Sequence, residues 1–114
     1  MQRLSYVVLR HDGFGDPHYD LMFETAANSK LATWRSSQWP LQHGTILTRI
    51  GDHRREYLTY EGPLSRNRGT VARIQTGTFE LMANDTGRFE AAVGGKRIVL
   101  SCRADDEWLC EFFE

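Results

Sequence analysis

Three side chains suited to holding a divalent metal lie within one short span: His11, His18 and Asp20. From His18 onward the chain alternates. Tyr19, Leu21 and Phe23 are apolar or aromatic, and His18, Asp20, Met22 and Glu24 fall between them. Strict alternation predicts a strand with one buried face, because successive side chains point to opposite sides. His18 and Asp20 then share a face, with Cα atoms roughly 7 Å apart, two strand rises. A loop containing Gly13, Gly15 and Pro17 separates His11 from His18 and can fold His11 back beside the other two. Two imidazoles and one carboxylate suit a divalent ion with positions left for water and substrate. Spacing alone leaves the plainer alternative open, that these are ordinary strand residues.

The elements that must position these residues read as strands throughout. Segments 3–10, 18–25, 31–35, 45–50 and 56–61 form the first half, with Trp34 the largest side chain of the third. Residues 62–69 read as a polar loop. Segments 70–75, 78–83, 88–93, 96–102 and 107–113 form a meander, with Gly94-Gly95 a two-residue hairpin signal and Asn84 to Gly87 a four-residue one. No apolar pattern holds a 3.6-residue period. The prediction is a single all-β domain over residues 1–114: an antiparallel β-barrel of about eight strands, closed because closure removes exposed edges. Tyr19, Leu21 and Phe23 should be buried, and His18, Asp20 and Met22 should face an outer polar groove.

The chain has 114 residues, one domain's worth, and a formal net charge of −1, which excludes a uniformly basic nucleic-acid wrapper. Charge is uneven, however. Between positions 49 and 73, Arg49, Arg54, Arg55, Arg66, Arg68 and Arg73 face only Asp52, Glu56 and Glu61. That local excess fits contact with a few phosphates, or a solvated arginine-rich surface. No apolar run approaches a membrane span and none reads as a signal peptide, so a cytoplasmic monomer with no membrane contact is expected. Cys102 and Cys110 are expected to be reduced and buried.

The order of several motifs resembles the 3′-phosphoesterase domain of bacterial ATP-dependent DNA ligase D and its short standalone relatives. His18-Tyr19-Asp20-Leu21 matches a His-Tyr-Asp-Leu, and Asp52-His53-Arg54-Arg55-Glu56-Tyr57 matches Asp-His-x-x-Glu-Tyr. Glu61-Gly62, Gly69-Thr70-Val71, Gly77-Thr78-Phe79-Glu80, Trp34 and Trp108-Leu109 follow in the family's order. The resemblance implies Mn²⁺, or another divalent transition ion such as Zn²⁺ or Co²⁺, held by His11, His18 and Asp20. It implies phosphate contact by His53 with support from Tyr57. The implied reaction removes a 3′-terminal ribonucleotide and then the 3′-phosphate, leaving a 3′-hydroxyl on nucleic acid. A DNA ligase or polymerase of end joining is the implied partner. Glu24 is a candidate supporting hydrogen-bonder for the metal ligands.

The chain departs from the ligase pattern in three places. Met22 stands where the ligase domains carry an Arg, the loop from His11 to His18 is one residue longer, and Gln38 takes the place of a Lys. Arg49 is retained, and Arg66 or Arg68 can supply the cation that Met22 lacks; Arg68, just before Gly69, is the stronger candidate. Two functions therefore follow: a metal-dependent phosphoesterase, with His53, Tyr57 and Arg68 catalytic, or a metal- and phosphate-binding module that senses ends without turnover.

Overall fold

A computed structural model describes residues 3–114. Alternation sorts the side chains of β1 (Arg3–Asp12) to two sides: Leu4, Tyr6 and Val8 enter one apolar cluster, Val7 and Leu9 another. The same division runs through β2 (His18–Glu24) and β3 (Leu31–Ser36). Leu21, Phe23, Ala32 and Trp34 join the first cluster, and Met22 and Leu31 the second. The remaining strands are β4 (Thr45–His53), β5 (Gly62–Pro63), β6 (Thr70–Asn84), β7 (Arg88–Val93), β8 (Lys96–Ala104) and β9 (Glu107–Phe113). They form one antiparallel sheet in the order β1-β2-β3-β4-β9-β8-β7-β6-β5, and a further β1–β6 ladder closes it. The result is an eight-stranded barrel, with β5 as a short extra strand on the edge of β6.

The first cluster occupies the barrel interior. Phe23, Trp34, Phe79, Phe89 and Trp108 meet there in edge and tilted contacts, with Phe23 and Phe89 4.9 Å apart. The second lies on the outer face of β1, β2 and β3, and Tyr57, Leu58 and Leu64 cover it. Met22 is only 1% exposed in it. The expected one-sided strand is thus corrected: β2 is buried on both faces, and Tyr19 is only half-buried, packed toward Trp39.

Other expectations change for local reasons. Residues 56–61 do not form a strand. Arg55–Leu58 is a 3-10 turn, with the Tyr57 N–H donating to the Arg54 carbonyl and the Thr59 and Tyr60 N–H groups to that of Glu56. Residues 70–84 are one strand, not two. Gly77 sits in it opposite Tyr6, and a Cβ there would lie 3.1 Å from the Tyr6 ring. That strand carries irregularities at Ile74 and Met82, which leaves both side chains exposed. Within 62–69, Gly62 and Pro63 pair with Val71 and Thr70. Cys110 is buried as expected, but Cys102 is exposed near the β8–β9 turn. Among the described residues no helix is long and apolar enough to cross a membrane.

Candidate metal centre

The β1–β2 hairpin makes His11 and His18 direct cross-strand partners, and Leu9 partners Asp20. Directly opposed residues in an antiparallel pair have Cβ atoms about 5 Å apart. The ligating atoms of His11, His18 and Asp20 all lie within 4.8 Å of one another. His11 Nδ1 faces His18 Nε2 at 2.9 Å, and His18 Nε2 lies 3.9 Å from Asp20 Oδ2.

The outer nitrogens define the chemistry of the inner ones. His11 Nε2 lies 2.6 Å from the Arg68 carbonyl, and His18 Nδ1 lies 3.1 Å from that of Asp16. A carbonyl only accepts, so each of these nitrogens carries the N–H. In the neutral rings, His11 Nδ1 and His18 Nε2 are then bare lone pairs pointed at each other. Two lone pairs at that distance repel unless they share a proton or bind a cation to one side of the line joining them, since metal–nitrogen bonds of about 2.1 Å do not fit within that gap. Backbone carbonyls that fix the tautomers and aim the free nitrogens are the usual support of a metal-binding histidine. The donor set and its orientation therefore fit a divalent transition ion.

Asp20 is 3% exposed and is held by Arg35, its partner across the β2–β3 ladder. Arg35 Nε donates to Oδ1 at 2.8 Å and Nη2 to Oδ2 at 3.2 Å. Sequence reasoning missed Arg35. Its signal was the register: pairing Leu21 with Trp34 on the inner face sets Asp20 beside Arg35 on the outer one.

These residues line one end of a groove of about 150 Å³. Leu9, Met22, Leu64 and Val71 make its apolar floor, while His53, Tyr57, Arg35 and Arg68 add polar groups. His53 lies at the end of β4, with Nδ1 2.9 Å from the Gly51 carbonyl. Its N–H is committed there, so Nε2 is the nitrogen free to exchange a proton. The Tyr57 ring meets the His53 ring edge-on at 5.7 Å. Phe14, on the hairpin loop, stacks along His11 at 6.1 Å.

Several candidate residues lie elsewhere. Arg49 is not in the groove. Its guanidinium lies 4.5 Å over the Trp34 ring, donates to the Thr33 and Ile50 carbonyls and pairs with Asp52 at 3.3 Å. Arg66 is exposed in left-handed backbone (φ 61°) and does not line the groove. Arg68 does line it, but its guanidinium folds onto the Ser65 carbonyl and hydroxyl, and its contact with His11 is through the backbone.

Glu24 does not touch the metal-ligand set. It accepts from the Ser5 N–H at 2.6 Å and from Arg55 Nη1 at 2.5 Å. Burial is the largest influence on its carboxyl and pushes the pKa up. The hydrogen bonds from Arg55 and Ser5 together outweigh it, so the pKa lies below the ordinary carboxylate value. Glu24 instead ties β2 to the 3-10 turn that carries Tyr57, through Arg55.

Comparison with models of protein families and with curated proteins finds no match to this chain.

Proposed function

We propose that this protein is a divalent-metal-dependent phosphoesterase of nucleic-acid 3′ ends, a short relative of the 3′-phosphoesterase domain of DNA ligase D. One observation carries the proposal. The free nitrogens of His11 and His18 converge beside Asp20, in the same groove as His53, Tyr57 and Arg35. His11, His18 and Asp20 hold the ion, with Mn²⁺ the first candidate. The ion supplies Lewis-acid polarisation of a phosphoryl oxygen. Arg35 holds Asp20 in its ligating orientation and adds positive charge beside the phosphate. As water attacks phosphorus and the ester P–O bond breaks, an imidazolium His53 would pass its Nε2 proton to the leaving oxygen, and Tyr57 packs against the ring to keep it in place. Arg68 adds charge at the rim. The groove has room for a phosphate group.

Met22 favours a second reading. An apolar floor stands where a phosphate-gripping cation is otherwise wanted, and this suits a module that binds a 3′-phosphate end without turnover. One experiment separates the two. Oligonucleotides ending in a 3′-phosphate or a 3′-ribonucleotide are incubated with the protein and MnCl₂, and phosphate release and binding are both measured. Release that falls about a hundredfold or more in His18→Ala supports the enzyme. Metal-dependent binding without release supports the module. Neither binding nor release removes both.

A further inference from the structure

The interior of the barrel is not filled at one end. A cavity of about 440 Å³ opens there, between the β3–β4 loop and the β7–β8 hairpin. Tyr6 and Phe23 of the interior cluster lie at its floor, and Trp39 and Phe112 form walls. An eight-stranded barrel is just wide enough either to fill with side chains or to hold one small ligand. Ligand sites are typically cavities of roughly 300–1,000 Å³ with mainly apolar walls and a few polar groups, and barrel mouths are a preferred place for them.

The charged lining of this mouth has one sign. No lining residue is acidic, and Lys96 stands in the lining. Among the described residues Lys96 makes no ion pair. His43 is already engaged: its Nδ1 accepts from the Phe112 N–H at 3.0 Å and its Nε2 faces Glu111 at 3.7 Å. Tyr6, 7% exposed, accepts from Gln75 Nε2 at 2.9 Å and keeps its own O–H for another acceptor. The mouth thus offers an unpaired ammonium and a buried hydroxyl donor around an aromatic-lined hollow.

We propose that the barrel mouth is a binding site for a small aromatic anion, its flat ring among Phe23, Trp39 and Phe112 and its carboxylate toward Lys96. Aromatic walls favour a flat ring over an alkyl chain through offset and edge contacts. The site lies inside the barrel, whereas the histidine groove lies outside it. β2 serves both, with Leu21 and Phe23 facing the mouth and Asp20 and Met22 the groove. The inference is therefore independent of the phosphoesterase reading.

The test titrates the full chain with 1-naphthoate, octanoate and the neutral 1-naphthalenemethanol, by calorimetry and by NMR. One saturable 1-naphthoate site is expected, with nuclear Overhauser contacts from the ring to the Ile98 methyls, which line the cavity. Lys96→Met should weaken 1-naphthoate about tenfold, the worth of one charged hydrogen bond, and leave 1-naphthalenemethanol unchanged. Val93→Trp, which fills the mouth, should abolish binding. No saturable binding, contacts away from Ile98, or equal affinity in Lys96→Met overturns the proposal. Tighter binding of octanoate than of 1-naphthoate overturns the aromatic assignment.

Discussion

Asp20 shows how one side chain can be costly and useful at once. A carboxylate this deeply buried needs a counter-charge, and Arg35 supplies it through two hydrogen bonds. Arg35→Ala leaves Asp20 beside His18 alone. Charged hydrogen bonds contribute about 1.5–3 kcal/mol, less here because the Arg35 side chain is 39% exposed. The expected loss is about 1–2 kcal/mol in urea unfolding without metal, and it should shrink when Mn²⁺ saturates the groove and neutralises Asp20. Arg35→Lys should recover only part, since an ammonium cannot present the guanidinium's paired donors. Unchanged stability in Arg35→Ala would mean that Asp20 does not depend on this partner. The two cysteines offer a second check at this scale. Burial, with Glu111 adding to it, pushes the Cys110 thiol up to about 12, so almost no thiolate is present at neutral pH. Cys102 is exposed. A thiol reagent should label one cysteine in the native protein and two in denaturant; two labelled in the native state would show that the β9 core opens.

The β1–β2 hairpin and the start of β6 decide whether His11 points correctly, and Gly69 holds them together. Its φ is +86°, and a Cβ there would overlap the Asp12 carbonyl. Gly69→Ala therefore adds a steric clash to the left-handed backbone penalty, for a loss of more than about 2 kcal/mol. It also displaces the adjacent Arg68 carbonyl from His11 Nε2. Loss of such a support typically weakens metal affinity about ten- to a hundredfold. Gly44→Ala is the control, with φ +94° but open space around it; it should cost only about 1–2 kcal/mol and leave metal affinity alone. Calorimetric Mn²⁺ titration distinguishes the two, and equal affinities would remove Gly69 from the support of the site. The elements that were legible in the sequence are those whose cause is local. β2 declares itself by alternation, and the β7–β8 turn by Gly94-Gly95, with Val93 opposite Lys96. Those that were not have distant causes. Residues 56–61 alternate over too few positions to separate a strand from a 3-10 turn, and Arg55 of that turn is bound by Glu24, 31 residues away. Gly77 resembles a break in β6 until Tyr6 is placed against it. Met22 reads as groove-facing, and so it is, but Tyr57, Leu58 and Leu64 from later segments cover that face and turn it into a second core. The triad was legible because a hairpin is a local structure. Arg35 was not, because its role depends on the register of another strand.

At the scale of the whole molecule, β1 is the seam on which both fold and site depend. It pairs with β2 on one edge and closes the barrel against β6 on the other, and it carries His11 just before its last residue, Asp12. An ion held between His11 on β1 and His18 and Asp20 on β2 therefore cross-links the hairpin beside the closing seam. Binding to the native state alone adds stability of RT ln(1 + [M]/Kd), about 2.7 kcal/mol at a hundredfold excess over Kd. For a domain of this size each kcal/mol moves the midpoint by roughly 4 °C, so Mn²⁺ or Zn²⁺ at that excess should raise Tm by roughly 10 °C. The sign of the pH dependence follows from the ligands, because the free imidazole nitrogens must be unprotonated to bind. The rise should shrink on acidification, because protons compete with the ion for those nitrogens. Mg²⁺ should give a much smaller rise, since a hard ion gains little from two imidazoles. His18→Ala should abolish the shift while leaving the metal-free midpoint within a few degrees, because His18 is only partly buried and contributes a ligand more than it contributes packing. A Tm rise of equal size in His18→Ala, or one undiminished by acid, would place the ion elsewhere on the molecule. The His11–His18 contact would then be a proton-sharing pair that pins the hairpin, with no metal between the rings.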